Sequence, residues 1–184
     1  MRHFLLRSLA ALAWLGVFNP TQSSAAPQPE PDKLNLTGAW TLDLKASTSL
    51  EALMTRTGAS LLERKYAAWA TLKAALRQTE KVLTIDARGP GFALDETLYL
   101  DGRSYSSNLQ VLGATSVKTA TVWSKDYKQI VETHQIKTKE GKEGQLIIKR
   151  YLTDDGKSLV AIYSLQLNAE SAEISASQIW RKQA

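Results

Sequence analysis

Leu36, Trp40, Leu42 and Leu44 occupy one parity of a stretch whose other parity carries Thr41, Asp43 and Lys45. A period of two is that of a strand with one face buried, so a strand opens the folded part from about Leu34 and points Trp40 at the core. The period then lengthens. Thr48 and Glu51 are spaced as a capping box ahead of Leu50, Leu53 and Met54, with Gly58 as a stop, and predict a short helix. A second box, Ser60 with Glu63, opens a longer segment in which Leu61, Leu62, Tyr66, Trp69, Leu72, Ala75 and Leu76 recur near helical spacing. The two helices form a helix-turn-helix bent at Gly58-Ala59-Ser60.

Beyond Glu80 the pattern is strand and turn. Alternation runs over Val82 to Ala87, Phe92 to Leu100, Lys118 to Trp123, Gln129 to Ile136, Gln145 to Leu152, Ser158 to Leu167 and Ala172 to Arg181. The turns between them (Gly89-Pro90-Gly91, Asp101-Gly102, Lys125-Asp126, Glu140-Gly141, Asp155-Gly156 and Asn168 to Ser171) are short enough for antiparallel neighbours. Arg103 to Thr115, with Asn108, Gly113 and several serines, reads as an irregular or partly stranded connection. The expected fold is mainly β: an antiparallel up-and-down β-barrel of 8–10 strands with the helix-turn-helix inserted between the first and second strands. Closure removes the exposed edges an open sheet would present, and helices at that position can cap one end. A two-sheet sandwich is the alternative.

Residues 1–26 read as a signal peptide and are set apart from the fold. Arg2 and Arg7 form a positive start, Leu9 to Phe18 an apolar run shorter than a bilayer span, and Ser23-Ser24-Ala25-Ala26 supply small residues for cleavage near Ala25 or Ala26. Residues 27–33 alternate proline with polar residues and form an extended linker, and 34–184 form one barrel domain. The expected location is therefore outside the cytoplasm, periplasmic or secreted. The chain has no cysteine, which removes disulfides, thiolate metal sites, a cysteine nucleophile and a lipid-modified N-terminus.

The net charge of +5 falls to +3 without the leader, because two of the 23 basic residues are Arg2 and Arg7 and none of the 18 acidic ones lies there. The basic run Lys137 to Lys142 is broken by Glu140 and fits a solvated hairpin tip, so no nucleic-acid partner is expected.

Several of these residues together resemble the fatty-acid-binding, or intracellular lipid-binding, branch of the calycin barrels. Gly38-Ala39-Trp40 is similar to that family's opening Gly-x-Trp, which lipocalins share, and Gly58-Ala59-Ser60-Leu61-Leu62-Glu63-Arg64-Lys65 resembles its Gly-x-Ser-x-x-x-Arg-Lys segment. Asp101-Gly102-Arg103, Arg150-Tyr151-Leu152 and Asp155-Gly156-Lys157 resemble family turns and hairpins. The resemblance implies a barrel with a helical portal and an apolar ligand. It also marks a departure: the family commonly holds a fatty-acid carboxylate with an interior arginine and an Arg-x-Tyr pair on the last strand, where this chain has Gln178 and Trp180, so Arg150 is left as the anion partner. The leader is a second departure and makes this an exported calycin-like or lipocalin-like chain.

The expected ligand-binding residues are Arg150, Gln178, Trp180, Tyr66, Trp69 and Trp123. Arg150 shares parity with Leu146, Ile148 and Leu152, and a cation among aliphatic side chains needs a carboxylate, water or a ligand. Glu96 and Glu132 are the internal candidates, and an outward-facing arginine is the alternative. Gln178 shares its face with Ile174, Ala176 and Trp180, and Trp180 with Trp40 closes the floor where first and last strands meet. Glu132 and His134 are two apart on one strand face, but no HExxH, GxSxG, P-loop or dinucleotide motif accompanies them, so a hydrogen-bonded or solvent-facing histidine is expected. No catalytic residue, metal ligand set or cofactor is expected. The leading function is an exported, non-catalytic carrier of a small apolar ligand, lipid- or fatty-acid-like, oriented by Arg150 and Gln178, with an anionic head compatible with Arg150 but not implied. The alternative is a cell-envelope protein-interaction module with a filled barrel. Transient membrane contact through the helical pair, which carries Arg56, Arg64, Lys65, Lys73 and Arg77 on or beside it, is the further partner expectation.

Overall fold

The computed structural model describes residues 33–183 apart from Asn108, Asp154, Ala169 and Ser171. The leader and the linker up to Asp32 lie outside the described residues. The elements are β1 (Gly38–Leu42), α1 (Glu51–Arg56), α2 (Leu61–Trp69), β2 (Lys73–Gln78), β3 (Val82–Gly89), β4 (Phe92–Tyr99), β5 (Ser104–Ser106), β6 (Gln110–Val111), β7 (Ala114–Trp123), β8 (Ile130–Lys137), β9 (Glu143–Leu152), β10 (Ser158–Leu167) and β11 (Ile174–Lys182). All pair antiparallel in one sheet of order β4-β3-β2-β1-β11-β10-β9-β8-β7-β5, with β6 also on β7. The first strand is thus closed onto the last, with Leu42 opposite Trp180. At the seam between β4 and β5 side chains replace the ladder. The rings of Tyr99 and Tyr105 meet edge-on at 5.2 Å, and the Tyr105 hydroxyl donates to the Thr97 carbonyl at 3.2 Å.

The expected antiparallel barrel with two helices after the first strand is the observed architecture, with three local differences. The Thr48/Glu51 capping box does not form: the Thr48 hydroxyl accepts from the Ser177 amide of β11 at 2.6 Å, and α1 starts after Leu50 with no side-chain cap. The Ser60/Glu63 box does form, but α2 ends at Trp69 and not near Leu76. Leu72, Ala75 and Leu76 fit a helical period, yet Ala74 and Leu76 also fit a period of two, and pairing on both sides with β1 and β3 decides for a strand. Finally, the connection at 103–115 holds β5 and β6, too short to carry a readable alternation.

Two packed clusters fill the ends of the barrel interior. One gathers Leu36, Trp40, Leu83, Leu98, Ile130, Leu159 and Trp180. The Trp40 indole N–H donates to the Leu36 carbonyl at 3.0 Å, so the buried ring carries no unmet donor. The other gathers Leu53 of α1 with Ile136, Leu146, Leu165 and Leu167. The helical pair is held down at its turn. The buried Thr57 hydroxyl donates to the Leu112 carbonyl, and Gly113, at φ +90°, lies so close to Ala59 that a Cβ there would sit 2.6 Å from the Ala59 Cβ. Lys139 reaches Glu63 at 2.9 Å from the β8–β9 turn. That link and the Ser60 cap hold the Glu63 carboxyl down at about 2.

Candidate functional site: an apolar cavity with a buried polar cluster

Between the helices and the sheet lies a cavity of about 640 Å³. Its wall is largely aliphatic: Leu42, Ala74, Leu76, Ile85, Ala87 and Leu159 from the strands, with Leu62, Tyr66 and Trp69 of α2 and the β3–β4 turn around Phe92 at its helical side. Small residues make the space, since Ala74, Ala87 and Ala161 point inward where leucines would fill it. Three lining side chains stay exposed on the rim, Leu62 at 78 %, Trp69 at 60 % and Phe92 at 36 %, and Leu61 of α2, outside the lining, is exposed at 58 %.

Arg150, Gln178, Trp180, Tyr66 and Trp69 all line this one cavity. Antiparallel register explains the first two: Arg150 and Gln178 both stand opposite Ala161, so β9, β10 and β11 present them in one row. Trp123 is not among the lining residues. It sits at the end of β7, packed on the Trp40 cluster and against Tyr127 at 6.1 Å between ring centres, where the barrel is filled. Tyr66 packs edge-on against Trp69 at 5.3 Å, and its hydroxyl is buried without a hydrogen-bond partner among the described residues.

At the sheet side of the cavity the polar residues converge. Arg150 forms an ion pair through Nη1 with Glu132 Oε1, and the two side chains are 11 % and 0 % exposed. Glu132 Oε2 lies 3.3 Å from His134 Nε2, while His134 Nδ1 lies 3.1 Å from both the Ser116 and Thr119 hydroxyls. Burial pushes the His134 ring below its ordinary value, opposed by the nearby Glu96 carboxylate. A neutral ring satisfies this set with Nε2–H donated to Glu132 and Nδ1 accepting from a hydroxyl. The Tyr163 hydroxyl donates to Gln178 Oε1 at 2.9 Å, and burial raises that phenol above its usual range.

Ser116, His134 and Glu132 have the connectivity of a nucleophile–base–acid string, but Ser116 is fully buried and does not line the cavity, so its oxygen has no path to a bound molecule. The string therefore orients His134. Glu96, Glu132 and His134 offer ligand atoms all within 4.8 Å of one another, a grouping that the linear spacing does not reveal because Glu96 arrives from β4 and the other two from β8. Where the sequence shows no metal-ligand cluster, these three are the residues that could hold a cation. Glu132 already spends one oxygen on Arg150 and the other on His134, so the grouping is explained without one. Two members of the polar cluster are hidden in the linear pattern, Tyr163 on the cavity wall and Ser116 behind His134. Tyr163 is legible in the parity it shares with Leu159 and Leu165, whereas Ser116 precedes a bulge at Val117 that resets the β7 register.

No protein-family model and no curated protein matches this chain by sequence. Solved structures do match. A REP1-NXSQ fatty acid transporter superposes with a TM-score of 0.62 at 17 % identity, over 81 % of this chain and 96 % of that one. This chain has the fold of the fatty-acid-binding barrels. Lipid binding protein 8 of Caenorhabditis elegans, in its apo form, gives 0.61 at 11 % identity over 80 % of this chain and 94 % of that one. A Schistosoma mansoni fatty acid binding protein in complex with arachidonic acid gives 0.61 at 13 % identity, over 85 % of this chain and all of that one. At these identities the likeness is one of fold, and it matches the calycin resemblance carried by Gly38-Ala39-Trp40 and the helical insertion.

Proposed function

We propose that this protein is an exported, non-catalytic carrier of a small apolar molecule with a lipid- or fatty-acid-like chain. The observation that carries the reading is the cavity of about 640 Å³, walled by aliphatic side chains and furnished with a few converging polar groups. That volume falls in the range of roughly 300–1,000 Å³ usual for ligand pockets, which share this mostly apolar lining. Fatty-acid binding and transport are also what the structural neighbours are named for. A barrel serving only as an interaction module and filled by its own side chains would leave no such space. Among the described residues no serine or threonine lines the cavity, and Ser116, the hydroxyl linked to His134, is enclosed behind it, which favours the non-catalytic reading.

The test is a titration of tryptophan emission with single-chain amphiphiles, paired with native mass spectrometry of the purified protein. Trp69 and Trp180 line the cavity, so occupation changes their surroundings. Saturable binding of one molecule per chain is the expected result, and no emission change and no adduct with any amphiphile overturns the carrier reading.

Export rests on the leader, Arg2 and Arg7 ahead of the apolar run and Ala25-Ala26 at its end. N-terminal sequencing of protein recovered from the periplasm or medium checks it, with a start at Ala26 or Pro27 expected and an intact Met1 against it. Membrane contact rests on Leu62, Trp69 and Phe92, which stay exposed on the cavity rim with Lys65, and on the exposed Leu61 that precedes Leu62 in α2. Leu62→Asp should slow ligand transfer to anionic vesicles several-fold, and an unchanged transfer rate removes that role.

A further inference from the structure

The polar side of the cavity carries more negative than positive charge. Arg150 is the cation there, and Glu132 already neutralises it from a fully buried position. Glu96, which lines the cavity itself, brings a second carboxylate within 4.8 Å of the Glu132 and His134 ligating atoms. His134 adds no compensating charge, because burial favours its neutral ring. The formal sum over Arg150, Glu132 and Glu96 is one negative charge, and charges in a low-dielectric interior act on one another far more strongly than in water.

A carboxylate head arriving at Arg150 therefore finds the guanidinium taken. It must either displace Glu132, leaving that carboxylate buried without its cation, or settle beside two like charges. Placing like charges together discriminates against a wrong ligand as effectively as good contacts select a right one. A head that donates a hydrogen bond and carries no negative charge meets the opposite situation, since Glu96 offers it acceptor oxygens at the cavity wall.

We propose that the cavity selects single-chain amphiphiles whose head is a non-anionic hydrogen-bond donor, a long-chain alcohol or amine, over the corresponding fatty acid, and that Glu132 sets this preference. The inference rests on the carrier reading and narrows its ligand class. It decides against the anionic head that Arg150 alone leaves open.

The test measures binding of hexadecanol, hexadecylamine and palmitate to the full mature protein by tryptophan emission near neutral pH. The alcohol and the amine should each bind at least about tenfold more tightly than palmitate, a ratio well within what like-charge juxtaposition produces. Glu132→Gln frees Arg150 while keeping an acceptor for His134, and should tighten palmitate by about tenfold or more while shifting hexadecanol far less. Glu132→Gln combined with Arg150→Gln removes both charges, stays foldable if the single variant does not, and should bind the alcohol with no gain for palmitate. Palmitate binding as tightly as hexadecanol to the unaltered protein overturns the proposal and leaves the carrier reading intact. Binding of none of the three overturns both. A Glu132→Gln protein that folds and shows no gain for palmitate removes Glu132 as the determinant.

Discussion

Glu132→Gln is the perturbation whose stability cost follows most directly from the geometry. The substitution keeps the shape of the side chain and an oxygen for His134 Nε2, and it turns an amide N–H towards Arg150 where a carboxylate oxygen stood. Arg150, 11 % exposed, is then left without the anion that Glu132 supplies. Breaking a buried pair by neutralising one partner costs about 3–5 kcal/mol, mostly for the stranded charge. Arg150 borders the cavity and keeps 11 % of its side chain exposed, which places the value near the lower end, about 3 kcal/mol. For a domain of this size each kcal/mol lowers Tm by about 2–4 °C, so a fall of roughly 6–12 °C is expected in differential scanning calorimetry. The double variant Glu132→Gln/Arg150→Gln should recover at least half of that loss, because removing both charges also removes their desolvation cost. A single-variant loss under about 1 kcal/mol would instead place the pair with solvent-exposed bridges.

The other predictions concern separate parts of the molecule. His134 is held neutral by burial, with a folded-state value below the ordinary 6.5. Protons then favour the unfolded chain, so the stabilisation is complete above pH 6.5 and is lost as pH falls through the window below it. His134→Gln should flatten the fall in Tm between about pH 7 and about pH 5, and an unchanged slope assigns the acid sensitivity elsewhere. Trp40→Ala should cost about 3–5 kcal/mol in urea denaturation, since the ring is fully buried in the larger cluster, and a loss under about 1 kcal/mol would mean the floor repacks. Ser60→Ala removes the α2 cap and should cost about 0.5–2 kcal/mol, with faster amide exchange confined to α2; exchange unchanged there would deny the cap its role.

Strand parity alone places most of the barrel, because an alternating run has one inward set and pairing cannot invert it without exposing the core. Trp40, Arg150 and Gln178 point inward for that reason. Parity does not say who stands opposite. It leaves Glu96 and Glu132 equally open to Arg150, and only the β8–β9 register, with Ile130 opposite Arg150 and Glu132 opposite Ile148, makes Glu132 its diagonal neighbour. The same limit hides the approach of Glu96, which depends on barrel closure. Position along the barrel axis is equally invisible in a period of two, so Trp123 reads as a ligand contact although its end of the barrel is packed. Around Leu72 to Leu76 two periods fit the same residues, and tertiary pairing chooses between them.

The cavity and its polar wall are tested most directly by a crystal structure of the protein grown with hexadecanol. An alkyl chain running among Leu76, Ile85 and Leu159, with its hydroxyl within hydrogen-bond reach of Glu96 or Gln178 and the Arg150–Glu132 pair intact, is the predicted result. An interior closed by the α2 side chains, with the alcohol absent or lying outside the barrel, would contradict it.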